Sequence, residues 1–357
     1  VHVGDDTPSF AEPFEAFSDA PADDPGVDVS YEDPSVMLYS SGTTGDPKGI
    51  PLDHNATFSR WMINSLGQHY YLNETMIGVM PLYHTVGLHG ILCGLLSMSG
   101  TYLCMSEFDP AIAVRAIEEH EVSALHEAPT IFANMLDTEL IEEVDLSSVQ
   151  TIGYSGAPMS QSVFERTIET FDPDHIANLY GTTEVYGTLA YDDLHEIRDP
   201  TVTGPANVGL EVRVVTVGSE DPADTVDPGT QGELIVNTDS PVAFEGYWNK
   251  PEATEEAITD GWLYTGDAAR RTAENRVIIT GRVDDMIISG GENIHPTEVE
   301  DVLLTHPGID DVGIVGHPDE EWGEVVVAFI EESGGVTEAE LDQWCRDSDD
   351  LADYKRP

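Results

Sequence analysis

The chain has 357 residues, with 68 Asp and Glu against 14 Lys and Arg, a formal net charge of −54 and an isoelectric point near 4.1. A surface this negative repels phosphate backbones and anionic lipids, which excludes nucleic-acid binding and recruitment to a membrane surface. A hydrophobic content of 40%, with 5 Trp, 13 Tyr and 10 Phe, supplies enough buriable surface to exclude disorder. A folded, acid-coated protein of this kind suits the molar-salt cytoplasm of an extreme halophile, where the Debye length shrinks to about 3 Å.

Cys93, Cys104 and Cys345 are scattered without a CxxC pair, which predicts neither a disulfide framework nor a zinc site and points to a reducing, cytoplasmic location. The most apolar stretch, Val86 to Ser99, is broken by Gly87, His89 and Gly90 and is shorter than the ~20 residues that span a bilayer, so no transmembrane helix is expected. The chain starts at Val1 and stops at Lys355-Arg356-Pro357 inside what reads as a structured segment, and truncation at both ends is the expectation.

Residues 1–35 are rich in Asp, Pro, Ala and Glu and read as a loosely ordered lead-in. From Val36 onward, short apolar runs at 76–80, 101–105, 151–154 and 176–179 predict buried strands. Between them, helical spacing occurs at 53–71, 86–98, 111–120, 129–137 and 160–171. This alternation predicts an α/β layered domain. Period-two alternation at 210–217, 233–237 and 276–280, with Gly, Pro and Asp turns, predicts a β-rich subdomain packed on it. After Gly281, Pro296 opens a helix over 297–304 that Pro307 ends, and 312–315 and 325–330 read as strands. Thr337 with Glu340 makes a capping box for a last helix with Leu341, Trp344 and Cys345 on one face. The predicted organisation is a large domain over 36–281, incomplete at its N-terminus, and a small α+β domain over 282–357, incomplete at its C-terminus.

The sharpest local feature is Tyr39-Ser-Ser-Gly-Thr-Thr-Gly-Asp-Pro-Lys-Gly49. Gly42 and Gly45 let the backbone close on an anion, Ser40, Ser41, Thr43 and Thr44 add hydroxyl donors, and Lys48 adds charge, a combination suited to polyphosphate. It is no Walker A loop, because Pro47 precedes the lysine and Gly49 follows it. Three further segments stand downstream: Asn178-Leu-Tyr-Gly-Thr-Thr-Glu184, Gly261-Trp-Leu-Tyr-Thr-Gly-Asp267, and Gly281-Arg-Val-Asp-Asp-Met-Ile-Ile-Ser-Gly-Gly-Glu-Asn-Ile-His-Pro296.

In order and spacing these four motifs resemble the adenylate-forming superfamily of acyl-CoA synthetases, luciferases and peptide-synthetase adenylation domains. Met80-Pro-Leu-Tyr-His-Thr-Val-Gly87 and Leu351-Ala-Asp-Tyr-Lys-Arg-Pro357 look most like the 4-chlorobenzoate and benzoate type of CoA ligase. The resemblance implies that a carboxylate attacks the α-phosphate of ATP to give acyl-AMP, which the thiol of CoA then attacks. It implies that Ser40 to Lys48 hold the β- and γ-phosphates, that Thr183 bonds the α-phosphate, and that Glu184 ligates Mg²⁺. Asp267 would accept the ribose hydroxyls with Arg282 beside it, and Gly156, Ala157, Pro158, Tyr180, Gly181 and Thr182 would surround the adenine and α-phosphate. His84 would gate the acid pocket, for which Ile91, Gly94, Gly153, Ser155, Gly156 and Gly187 are candidate walls.

In the small domain, Asp284 matches a hinge, Gly290 and Gly291 match glycines lining the pantetheine tunnel, and Trp322 and Arg356 match positions used for the CoA nucleotide. His295 is expected only to pack at a helix start, and His89 finds no partner spacing for a metal pair. The family's adenylation lysine lies beyond the YKRP segment. None of Lys48, Lys250 and Lys355 matches it, and the chain as written is expected to be inactive in adenylation. The expected partners are a small aromatic or medium-chain acid, ATP and CoA, with room for a homodimer. An alternative is an adenylation module loading a carrier protein's phosphopantetheine. Modules of that kind selecting amino acids place an Asp after the PLYH-like segment, and 81–92 holds no acid.

Overall fold

In the computed structural model, described for residues 26–40, 47–189, 194, 198–290, 292–319, 322–332, 334–348 and 351–357, the first strands form an antiparallel hairpin. Strand β1 (Pro34–Ser40) pairs with β2 (Lys48–Asp53), with Ser40 opposite Lys48. The glycine-rich segment therefore joins two strands, where a Walker loop would lead into a helix. Ser41, Gly42, Thr43, Thr44, Gly45 and Gly291 lie outside the described residues, as do residues 1–25 of the expected lead-in. Helix α1 (His54–Gly67) follows, its N-terminus capped by the Asp53 side chain, which accepts from Ala56 N at 2.6 Å.

A five-stranded parallel sheet comes next, formed by β3 (Thr75–Gly78), β4 (Thr101–Cys104), β5 (Ala124–Glu127), β6 (Thr151–Ser155) and β7 (His175–Leu179), in the spatial order β4-β3-β5-β6-β7. Four of these strands stand where the apolar runs predict them, although β3 stops at Gly78. Strand β5 is the one that hydropathy misses, because His126 and Glu127 make half of it polar while all four of its residues are buried. Helices Pro110–His120, Pro129–Leu136 and Gln161–Phe171 cover one face, closing a core that includes Ile77, Ile117, Leu125, Phe132, Ile152 and Phe164. On the opposite side Tyr70, Met76, Ile91, Leu95 and Ala124 pack together.

The segment 86–98 is expected to be one α-helix, but Val86–Cys93 is wound as a π-helix and only Gly94–Ser97 is α. Its glycines permit close approach. A Cβ on Gly87 would lie 2.4 Å from the Met80 carbonyl oxygen, and one on Gly90 would lie 2.2 Å from the Tyr186 hydroxyl.

The β-rich subdomain is an antiparallel sheet of β8 (Val202–Gly204), β9 (Val212–Val215), β10 (Gln231–Asn237), β11 (Ile258–Thr259), β12 (Trp262–Arg271) and β13 (Val277–Arg282). The predicted strand at 210–217 shrinks to Val212–Val215, while the Gly261–Asp267 motif lies at and within the ten-residue β12. A second antiparallel sheet starts five residues after β13 ends. Its strands β14 (Ile287–Ser289), β15 (Glu292–Ile294), β16 (Ile309–Asp319) and β17 (Gly323–Glu332) pack with helices Pro296–Leu304 and Glu338–Asp347 around Ile287, Val299, Leu303, Ile314 and Cys345. Thr337 Oγ1 accepts from Glu340 N at 3.3 Å, as the capping pattern predicts. Among the described residues, no helix is long and apolar enough to cross a membrane.

Candidate active site

Ligands of open α/β sheets bind beyond the carboxyl ends of the parallel strands. Here β6 ends at Ser155, followed by Gly156 in the left-handed region at φ +87°, and β7 ends at Leu179, followed by Tyr180. Gly156, Ala157 and Pro158 are exposed at that edge. The neighbouring antiparallel sheet brings a carboxylate to the same place. Asp267 on β12 stands opposite Arg282 on β13, and Arg282 Nη1 donates to Asp267 Oδ1 at 2.7 Å. The Tyr180 hydroxyl donates to Asp267 Oδ2, so both oxygens of this nearly buried carboxylate are engaged.

Burial, followed by the negative charge of Asp267, pushes the Tyr180 phenol well above its ordinary range and keeps it a donor. Burial opposes the charge on Arg282, but Asp267 outweighs it and the guanidinium is held more basic than usual. Arg282 Nε stays buried without a partner among the described residues. Gly266, at φ +70°, makes the approach possible, since a Cβ there would sit 2.8 Å from Arg282 Nη2.

The phosphate end has a different construction. Thr182, Thr183 and Glu184 are half-buried on the loop after β7, and Thr182 Oγ1 accepts from Val185 N at 3.1 Å. Tyr247 donates its hydroxyl to Glu184 Oε1 at 2.8 Å, and Lys48 Nζ lies over the same ring, 4.7 Å from its centre. Trp248 N donates to Gly49 O at 2.8 Å, which fastens β2 to this loop. Lys48, expected on the outer phosphates, and Glu184, expected on Mg²⁺, are thus brought to one tyrosine. The remaining oxygen of Glu184 is a hard ligand of the kind Mg²⁺ takes, and Mg²⁺ commonly uses one or two carboxylates plus phosphate oxygens, so the donor set fits that ion. Among the described residues no group of three or more acids, His or Cys forms a protein-only metal cage.

His84 is exposed, and its Nδ1 accepts from Val86 N at 3.3 Å. His89 is buried, with Nδ1 2.9 Å from Thr85 Oγ1. Behind Ser155 lies a buried polar chain for which the sequence holds no motif. His126 Nε2 is 3.2 Å from Ser155 Oγ, and its Nδ1 is 2.8 Å from Gln68 Nε2. Burial lowers the pKa of His126 to about 3, so it is a neutral hydrogen-bonding group. Of the candidate pocket walls, Gly153 and Ser155 lie in this region, with a Cβ on Gly153 only 2.3 Å from Gln68 Oε1. Gly94 instead faces Ser65, and Ile91 belongs to the apolar cluster under α1.

In the small sheet, Gly290 sits at φ +59° against Trp322, where a Cβ would come within 2.7 Å of the indole. Gly290, Trp322 and Arg356 line one cleft of about 390 Å³ with Ser289, Val325 and Tyr354. Arg356 is paired with Asp342, and Lys355 with Glu298, so Lys355 is committed within its own domain. Asp284 lies in the turn between β13 and β14. His295 does more than start a helix. It is buried and its Nε2 meets Gln231 Nε2 of the β-rich subdomain. Tyr247 belongs to no motif, and neither does Arg60, whose guanidinium donates to the Glu184 carbonyl from helix α1. The only sequence signal for Arg60 is a cation inside a helix of a chain that holds so few.

The chain belongs to the AMP-binding enzyme family: that family's model matches residues 1–248, and the AMP-binding enzyme C-terminal domain matches 298–357. It is 39% identical over 329 residues to a 4-chlorobenzoate–CoA ligase of Arthrobacter sp, covering 91% of this chain and 62% of the relative. It is 34% identical over 343 residues to a feruloyl-CoA synthase of Amycolatopsis sp, covering 94% of this chain and 67% of the relative. Among solved structures, ATP-bound MatB from Rhodopseudomonas palustris superposes with a TM-score of 0.83 at 26% identity, covering 93% of this chain and 64% of that one. O-succinylbenzoate CoA synthetase (MenE) from Bacillus subtilis, in complex with its acyl-adenylate intermediate OSB-AMP, gives 0.81 at 28%, covering 92% and 65%.

Proposed function

We propose that the protein is an ATP-dependent acid–thiol ligase that activates an aromatic carboxylic acid as acyl-AMP and transfers the acyl group to CoA. The observation that carries this reading is the placement of Asp267, Tyr180 and Arg282 beside the strand edge, with Glu184 of the Lys48–Tyr247–Glu184 cluster four residues beyond Tyr180 on the same loop. The similarity to CoA ligases of benzoate-like acids supports the choice of acid.

In this reading a carboxylate oxygen attacks the α-phosphorus and pyrophosphate leaves. Two anions approach, so donors and cations must offset their repulsion. Lys48 and the hydroxyls from Ser40 to Thr44 bind the outer phosphates, Thr183 donates to the α-phosphate, and Asp267 orients the ribose while Arg282 and Tyr180 hold its carboxylate in place. Mg²⁺ held by Glu184 would neutralise phosphate charge. His84 offers its Nε2 at the mouth of the acid pocket. In the second step the CoA thiol, as thiolate, attacks the acyl carbon and AMP leaves. The cleft of Gly290, Trp322 and Arg356, with Gly291, is the assigned CoA contact, reached by movement of residues 282–357 about Asp284.

Glu184→Gln should lower ATP–pyrophosphate exchange by about 10²-fold or more, as loss of a charged group at a phosphoryl-transfer site does. Exchange within twofold of wild type removes Glu184 from the site. We further assign the protein to a saline cytoplasm on its charge of −54. Its melting temperature by circular dichroism should be higher in ~3 M than in ~0.1 M KCl, and equal values would refute that assignment.

A further inference from the structure

Helix α1 buries a largely polar face: Ser59, Arg60, Asn64 and Ser65 are buried along with Ala56 and Ile63, while Phe58, Met62 and Leu66 are exposed. Arg60 is completely inaccessible in a chain with only 14 cations. Its guanidinium donates from Nε to Val242 O and from Nη2 to Glu184 O, both at 2.9 Å. These two carbonyls flank one contact: Val185 and Ala243 form an antiparallel bridge, and Phe244 N donates to Glu184 O at 2.9 Å. One turn along α1, Asn64 Oδ1 accepts from the Tyr186 hydroxyl at 3.0 Å. The polar face of α1 therefore grips the two segments that carry Glu184 and Tyr247.

A neutral amide could tie two carbonyls together. A guanidinium adds a charge whose burial costs several kcal/mol unless an anion compensates it. Among the described residues Arg60 forms no ion pair, and its Nη1 is buried without a partner. Burial lowers its pKa to about 9, the nearby Glu184 opposing the fall, so it remains cationic near neutrality.

We propose that Arg60 is a positioning residue for the phosphate end: it holds the carbonyls of Glu184 and Val242 in fixed register, and it supplies from beneath a fixed positive charge that favours binding of Mg·ATP. It touches neither the nucleotide nor the reacting atoms. This rests on the ligase function proposed for the same site. It explains why a fully buried cation of an acid-coated chain stands behind the residue that would meet a polyphosphate, where the field of 68 acids is least welcome. Arg is suited to the task because its planar fork can serve two carbonyls at once, which a Lys ammonium on a flexible stem does poorly.

The test is calorimetric binding of ATP with and without Mg²⁺, and of AMP, to the full chain as wild type, Arg60→Met and Arg60→Lys, with melting curves on each. Arg60→Met should weaken Mg·ATP binding about 10- to 100-fold, the range of a lost charge-assisted interaction. AMP, which carries no β- or γ-phosphate, should bind within about threefold of wild type. Arg60→Lys should keep the charge, lose the fork and fall between the two. Equal losses for AMP and Mg·ATP would reduce Arg60 to a fold-holding role and overturn the proposal, as would Mg·ATP binding within twofold of wild type in either variant. If Arg60→Met does not melt cooperatively, Arg60→Lys decides by the same AMP-to-ATP contrast. A wild-type protein that binds neither nucleotide sinks the ligase reading itself, and this proposal with it.

Discussion

At the end proposed for the ribose, Asp267 sits on a strand, its Oδ1 2.7 Å from Arg282 on the next strand and its Oδ2 bonded to Tyr180. At the end proposed for the phosphates, Glu184 sits on a loop, and among the described residues it is linked to Lys48 through Tyr247, whose hydroxyl it accepts and whose face the ammonium covers. The difference follows from the ligand each end would receive. A ribose is neutral, so a paired carboxylate can accept its hydroxyls without giving up its cation. A triphosphate is anionic and arrives with a metal, and a direct Lys–Glu pair would have to break before either could bind. An aromatic spacer holds the two charges near each other while leaving the lysine for phosphate and the acid for the metal.

The sharpest way to break this comparison is Asp267→Asn, which leaves Arg282 and Tyr180 without their shared carboxylate. ATP and AMP should both lose about 10- to 100-fold in affinity by calorimetry. A loss confined to ATP would mean that Asp267 does not serve the ribose end. Tyr247→Phe is the finer cut, because it removes the hydroxyl at Glu184 and keeps the ring under Lys48. Mg·ATP binding should weaken about fivefold, the scale of one hydrogen bond, with AMP unaffected. If Tyr247→Phe and Tyr247→Leu give the same loss, the ring contributes nothing to placing Lys48.

The smallest expected effect lies in the scaffold beneath both ends. Burial lowers His126 and His89 to about 3, in the case of His89 with help from the Arg60 charge. The unfolded chain therefore binds protons below about pH 6.5 that the folded chain refuses. Stability from these residues is complete above that pH and is lost as pH falls toward 3. Between pH 7 and pH 6 each histidine should remove about 0.7 kcal/mol of unfolding free energy. His126→Gln should abolish its share, as read from urea midpoints at the two pH values, and an unchanged pH slope would show that the ring takes up protons as readily in the folded protein as in the unfolded chain.

The Asp267–Arg282 pair is legible in the amino-acid sequence. Asp267 lies in the Gly261–Asp267 motif, Arg282 stands second in the next one, and fifteen residues of strand–turn–strand suffice to bring them together. The glycine-rich segment before Lys48 stands out by composition, and its connection of two strands in place of a strand and a helix agrees with the Pro47-Lys48-Gly49 order. Strand β5 is not legible. Its Ala-Leu-His-Glu sequence carries a strand's apolar signal at two positions only, and it owes its burial to neighbouring strands on both sides and to the layers packed on the sheet's two faces.

What the amino-acid sequence determined by itself was therefore the inventory of chemistry: a family, a glycine- and hydroxyl-rich segment ending in Lys48, the motif carboxylates Glu184 and Asp267, and a net charge of −54. Those properties belong to residue types at short spacings along the chain, where local backbone preference does most of the placing. Tertiary structure alone decided what stands behind them. Arg60 reaches the Glu184 carbonyl across 124 positions of sequence, Tyr247 reaches the Glu184 carboxylate across 63, and Gln68 reaches His126 across 58. Such contacts exist only once segments far apart in the sequence have packed together. Burial then turns an ordinary arginine, tyrosine and histidine into fixed charges and dipoles.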